Sequence, residues 1–129
     1  MKEIKAQLNN FRISPRKARI VCDIVRGKKV KDAIAQLNFT SKRFATPLMK
    51  LLKSASDNAK NNFNVTDESN LIVKSIEVNG GPVLKRFMPR ARGSSAMIKK
   101  RTSRVSLVIM EQAKKTISKV KKTKIKKHE

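Results

Sequence analysis

Apolar positions recur along this chain with two periods, and an element boundary is predicted wherever one period gives way to the other. Over Met1 to Leu8, Ile4, Ala6 and Leu8 alternate with Glu3, Lys5 and Gln7, the pattern of a short strand with one buried face. This strand is expected to pair with strands later in the chain. From Phe11 the period lengthens. In FRISPRKARIVCDIVRGK, Ser14 is placed to cap a helix, Pro15 to occupy its first position and Gly27 to end it. Ala18, Val21, Cys22 and Val25 then share one helical face. A second short helix is predicted in VKDAIAQLNF, with Val30, Ala33, Ile34 and Leu37 on its stripe. The third has the strongest periodicity, through Phe44, Leu48, Leu51, Leu52, Ala55 and Ala59, and should end near Asn61 or Asn62. Two starts fit it: Ser41, which leaves Pro47 in the early turns, or Thr46 as cap with Pro47 first. Asn64 to Asn70 reads as a polar loop.

Period two then returns. LIVKSIEV, Leu71 to Val78, sets Ile72, Ile76 and Val78 on one face, and Val105, Leu107 and Ile109 repeat the alternation further on. Between these strands lies Gly80 to Arg104, with eight basic residues and no acidic one. Long structureless connections are uncommon in small domains and usually functional, so the segment is read as an arm leaving the body. If residue 79 faced residue 101, the midpoint would fall at residue 90, making Met88, Pro89, Arg90, Ala91 and Arg92 the tip. At roughly 3.3 Å per residue, ten residues per side would project about 30 Å. Gly80, Gly81 and Gly93 suggest an arm that becomes ordered in its complex.

Composition turns this outline toward a partner. The 129 residues carry 32 Lys and Arg against 9 Asp and Glu, a formal net charge of +23. Self-repulsion on that scale calls for a polyanion, foremost a nucleic acid. One domain is expected over residues 1–112, including the hairpin 80–104, followed by a lysine-rich tail over 113–129. The tail, with its repeated KK-x-K, is low-complexity and suited to phosphate contact without sequence specificity. No apolar run approaches the ~20 residues of a membrane span, and MKEIKAQL has no signal-peptide core; a cytosolic protein is expected, with no membrane partner. Cys22 is the only cysteine, which excludes an internal disulfide or a cysteine zinc cluster. On its apolar stripe it reads as a core residue rather than a nucleophile. The nine carboxylates are scattered, and neither a metal-spaced His or Cys set nor a phosphate-cradling glycine loop is present. No catalytic residue, metal or cofactor is expected.

The basic residues suggest how a nucleic acid would be held. Arg16, Lys17 and Arg19 crowd the first turn of the first helix, the end where cations are disfavoured. A phosphate bound there accounts for them better than a merely solvated face does. The chain has no Trp or Tyr, and of its five Phe only Phe87 lies among the basic residues of the arm, while Phe39, Phe44 and Phe63 are at helical or helix-edge positions. Recognition of phosphates and shape is therefore expected, with Arg86, Arg90, Arg92, Arg101 and Arg104 forking onto phosphates and stacking on exposed bases.

Three blocks are specific enough to carry a resemblance: FRISPRKARIVCDIVRGK, the helical segment ending SASDNAKNN, and GPVLKRFMPRARG followed by KKRTSRVSLVI. Over roughly residues 4 to 110 the chain resembles the family of the universal large-subunit ribosomal protein number twenty-two, in its bacterial form. The resemblance implies an α+β fold, three helices packed on a three-stranded antiparallel sheet with a long protruding β-hairpin. It implies a structural, non-enzymatic constituent of the cytoplasmic ribosome, a monomer there, bound to large-subunit rRNA and neighbouring ribosomal proteins. The hairpin would line the nascent-peptide exit tunnel near its macrolide-binding narrow point, with the nascent peptide passing its tip. By motif, Lys85, Arg86, Met88, Pro89, Arg90, Ala91 and Arg92 would be tip and near-tip residues. The residues expected on rRNA are Arg12, Arg16, Lys17, Arg19, Lys85, Arg86, Arg90, Arg92, Lys99, Lys100, Arg101 and Arg104. Two departures stand out: Ser94 and Ser95 follow the RG where members commonly continue with a basic residue, and Arg104 replaces a usual histidine. A DNA-bending architectural protein, driving Met88 or Pro89 of a basic β-arm between base steps, is the alternative that composition allows.

Overall fold

The computed structural model describes residues 3–65 and 68–111; the lysine-rich tail expected over 113–129 lies outside them. In chain order come β1 (Glu3–Phe11), α1 (Pro15–Val25), α2 (Val30–Asn38), α3 (Ala45–Phe63), β2 (Leu71–Pro89) and β3 (Ser95–Glu111). The strands form one antiparallel sheet in the order β1-β3-β2, with the three helices against it. This is the α+β arrangement of the resemblance. β3 is central because it pairs with β1 on one side and with β2 on the other.

The core lies between sheet and helices. Ile4 and Ala6 of β1 and Val105, Leu107 and Ile109 of β3 are buried as their alternation predicts. Against them pack the buried stripe of α1 (Ala18, Val21, Cys22, Val25), Val30, Ala33 and Leu37 of α2, and Leu48, Leu52, Ala55 and Ala59 of α3. Phe44 is buried beside Phe11, ring centroids 5.6 Å apart. Phe39, by contrast, is 92% exposed just past the end of α2.

Helix ends follow backbone geometry more than side-chain caps. Ser14 stands at the N-cap of α1, but its hydroxyl makes no capping bond; its carbonyl accepts from the amides of Lys17 and Ala18. α3 starts at Ala45, between the two starts that fit its sequence, with Phe44 as N-cap and Pro47 in the first turn, where an amide has no helical partner to lose. It runs to Phe63, just beyond the expected end, and Asn64 stops it in the left-handed conformation (φ 52°).

One strand face differs from its prediction. β2 buries Leu71 and Val73, then Ile76 and Val78, while Ile72 is only half-buried. The cause is a bulge: Val73 pairs with Ile109 and Ser75 with Val108, so Lys74 is an extra residue. The extra residue flips the parity of the alternation and keeps both apolar pairs on the core side. Lys74 itself forms an ion pair with Glu3 on β1, across β3. That hydrogen bond, with the lysine's charge, holds the Glu3 carboxyl below its ordinary range.

The outer edge of β2 is covered where it borders the helices. Gly27 donates its amide to the Val73 carbonyl, and Val73 donates back to Lys28. The guanidinium of Arg26 donates to the Ile76 carbonyl at 3.2 Å. Arg19 donates through Nε and Nη2 to the Val78 carbonyl at 3.3 and 3.1 Å. Open strand edges invite unwanted pairing, and here a loop and two arginines occupy this one.

Candidate nucleic-acid interface

Past Val78 the sheet continues as a two-stranded ribbon. At its base a second bulge sets Gly81 and Pro82 against Thr102, between the pairs Gly80–Ser103 and Val83–Arg101. The Thr102 hydroxyl donates to the Pro82 carbonyl at 2.6 Å. A Cβ on Gly81 would lie 2.4 Å from that hydroxyl oxygen; glycine is required here for close approach. Seven pairs follow, from Val83–Arg101 to Pro89–Ser95, carrying the ribbon out by roughly 20 Å at about 3.3 Å per residue. Nothing from Pro82 to Arg101 is buried, so the arm contributes almost nothing to the core.

The turn spans Arg90 to Ser94. Arg90 donates its amide to the Ser94 carbonyl, while the Ser94 amide and hydroxyl both donate to the Ala91 carbonyl. Arg92 (φ 57°) and Gly93 (φ 71°) make the reversal in the left-handed region. The centre is thus Arg92 rather than Arg90, and Met88 and Pro89 belong to the ladder, paired with Ala96 and Ser95. The displacement begins in the body, where Asn79 pairs with Arg104 and not with residue 101.

Where the arm meets the body lies a cleft of about 480 Å³, lined by Arg12, Ile13, Ser14, Lys17, Arg43, Leu84 and residues 99–102. Six of these are cations (Arg12, Lys17, Arg43, Lys99, Lys100, Arg101) and none is acidic. They come from four segments. Arg12 follows the end of β1, Lys17 stands in the first turn of α1, Arg43 precedes α3, and 99–101 lie on β3. The positive end of the α1 dipole adds to the potential beside Lys17, although the amide of Lys17 itself is already bonded to the Ser14 carbonyl. In charge and in donors the cleft is complementary to the phosphates of a nucleic-acid backbone.

Five of the residues expected from the sequence therefore converge: Arg12, Lys17, Lys99, Lys100 and Arg101. Arg16 is exposed on the first turn of α1 without lining the cleft. Arg19 spends two of its donors on Val78. Arg104 is exposed on β3 opposite Asn79. Lys85, Arg86, Arg90 and Arg92 stand further out, exposed along the arm and its turn. Arg43 was not among the expected residues. Its signal was present, since Lys42 and Arg43 stand just ahead of the α3 stripe, cations at a helix start as in α1. The cleft continues into a smaller depression of about 320 Å³ that shares Ile13, Lys17 and Arg43 and adds Lys42, over a floor that includes Ile20, Val21 and Phe44.

Within the arm, cations oppose apolar residues (Val83–Arg101, Leu84–Lys100, Arg86–Ile98) or each other (Lys85–Lys99). Directly opposed like charges destabilise a ribbon, and no carboxylate from Gly80 to Arg104 relieves them.

The single thiol is not poised to react. Cys22 is fully buried; burial, with the negative charge of Asp23 next to it, pushes its thiol up to about 12, so it stays protonated and inert. Among the described residues no group of three or more His, Cys, Asp or Glu could hold a metal ion, and no helix is long and apolar enough to cross a membrane.

The family model described as ribosomal protein L22p/L17e matches residues 6–110, which include α1, α2 and α3, nearly all of the sheet and the whole arm. That family is structural and works in the ribosome, in the cytoplasm, beside rRNA and other ribosomal proteins. A basic cleft at the root of a basic arm, within a chain matched over most of its length, has one consistent reading: the protein belongs to the ribosomal protein L22p/L17e family and is an rRNA-binding constituent of the large ribosomal subunit.

Proposed function

We propose that the cleft and the sides of the arm are the rRNA-binding surface, and that the turn at Arg90–Ser94 lines the nascent-peptide exit tunnel with the growing chain passing it. The observation that carries this reading is the division of labour along β2 and β3. Below Thr102 these strands are packed into a core; above it, no residue is buried and every charged side chain is a cation. An element that long and that poorly packed is stabilised by its surroundings, and its charge requires those surroundings to be anionic. Arg12, Lys17, Arg43, Lys99, Lys100 and Arg101 anchor the root on phosphates. Arg16, Arg19 and Arg104 extend the contact over the body, and Lys85, Arg86, Arg90 and Arg92 extend it outward. The turn is the part furthest from the anchored root, and it faces the peptide path.

Site-specific photocrosslinking in intact ribosomes carrying a stalled nascent chain tests both halves. A probe replacing Arg92 should yield an adduct with the nascent peptide; one replacing Lys100 should yield rRNA adducts only. Absence of any peptide adduct from position 92, across nascent chains long enough to fill the tunnel, would rule out the tunnel position. Absence of rRNA adducts from position 100 would rule out the cleft.

A further inference from the structure

Cross-strand partners in an antiparallel ribbon share a face, so the pairs of the arm sort its side chains into two sets. One face carries Lys85 opposite Lys99 and, one step nearer the tip, Phe87 opposite Met97. The other carries no ring: its pairs are Leu84–Lys100, Arg86–Ile98 and Met88–Ala96. Phe87 is 68% exposed and Met97 49%. Exposed apolar side chains taken singly are ordinary, and so is an isolated pair of solvated lysines. Their adjacency is not. A ring and a thioether lie open side by side, and about 7 Å along the ribbon two ammonium groups repel each other across the strands.

A single chemical group relieves both. An unpaired nucleotide presents a flat π face, which stacks on an aromatic ring, joined to a phosphate whose negative charge offsets two facing lysines. We propose that Phe87 and Met97 form a platform on which one unpaired rRNA base stacks, with an adjoining phosphate held between Lys85 and Lys99. The inference deepens the rRNA-binding reading and rests on it. It makes the arm two-sided, with base stacking on the Phe87 face and backbone contact on the Arg86 face. Because stacking tolerates any base, the site fixes where a nucleotide sits without specifying which one. A passing peptide would match the apolar pair but would have no use for the lysines beside it.

The chain has no Trp or Tyr, so the Phe87→Trp variant carries a single indole on the platform. In titrations of the full chain with a large-subunit rRNA fragment, the emission of this indole should be quenched as the fragment binds. Phe39→Trp, at an exposed position on the body, should keep its emission. Phe87→Leu, which stays apolar but loses the ring, should bind roughly tenfold to a hundredfold more weakly, with an unchanged circular dichroism spectrum and melting temperature. An unquenched indole at position 87 at saturation, or wild-type affinity for Phe87→Leu, overturns the platform. The wild-type titration separates that failure from a deeper one. If the wild-type protein binds and its affinity falls steeply with salt, the rRNA reading stands without the platform; if it does not bind, both fall.

Discussion

Gly81 shows how one missing methyl group sets the root of the arm. Its hydrogen faces the Thr102 hydroxyl, which donates to Pro82, so an alanine would force that hydroxyl to rotate and give up its bond. Gly81→Ala should therefore cost about 1–2 kcal/mol, the bond plus residual crowding. Thr102→Ala should cost a similar amount. With the hydroxyl gone, the nearest remaining contact of the new methyl is 3.4 Å from the Cβ of residue 102, ordinary van der Waals distance. The double variant should then be less destabilised than the sum of the singles by about 1 kcal/mol, measured by urea denaturation in a double-mutant cycle. Strict additivity would show that the hydroxyl is not what excludes alanine. The reason for this glycine was not legible in the sequence. Gly80-Gly81 reads as flexibility, whereas Gly81 is fixed by a side chain on the opposite strand, and no local pattern records that partnership.

The elements themselves were legible because burial imposes a period on each. The stripes of α1, α2 and α3 and the alternation in β1 and β3 are the residues found buried, except Ile34 of α2 and Leu8 of β1, which are half-buried against the core. What alternation cannot record is an extra residue. The bulges at Lys74 and at Gly81-Pro82, with the irregularity between Leu8 and Phe11 in β1, are properties of two strands together. The bulge at Lys74 moved the face of Ile72, and the two bulges of β2 together carry the tip one residue further along; the rest of its displacement is register, since Leu71 already pairs with Glu111. Nor can a pattern show that a surface cation has structural work. Arg16 and Arg19 look alike in PRKARI, yet Arg19 satisfies the Val78 carbonyl on the β2 edge, while Arg16 is exposed. Arg19→Met should lower stability by about 1 kcal/mol, and Arg16→Met should stay within about 0.5 kcal/mol of wild type. Thermal denaturation curves of the two variants, compared at one salt concentration, decide it: equal melting temperatures would mean that the bonds to Val78 contribute nothing.

At the scale of the whole molecule, the candidate site was legible as composition but not as a place. The charge of +23 and the acid-free stretch Gly80–Arg104 point to a polyanion. Only the fold brings the cations at positions 12, 17, 43 and 99–101 around one cleft; Arg43 went unforeseen because its company there is spatial. The same fold divides the molecule into a body that packs and an arm that binds, and the two should be separable. Replacing Val83–Arg101 with Asn-Gly, a sequence suited to a two-residue hairpin turn, closes the ribbon just beyond the Pro82–Thr102 hydrogen bond. It removes seven cations and no acid, together with no buried residue. The truncated protein should unfold in one cooperative transition, at a melting temperature equal to or above that of the intact chain, since its self-repulsion is smaller. Its affinity for a large-subunit rRNA fragment should fall, and its log-log salt dependence should flatten by about 0.7 to 0.9 for each phosphate no longer neutralised. Some dependence should survive, because Arg12, Lys17 and Arg43 remain on the body. Loss of cooperative unfolding would place the arm within the core, and an unchanged salt slope would mean that the cations of the arm touch no phosphate.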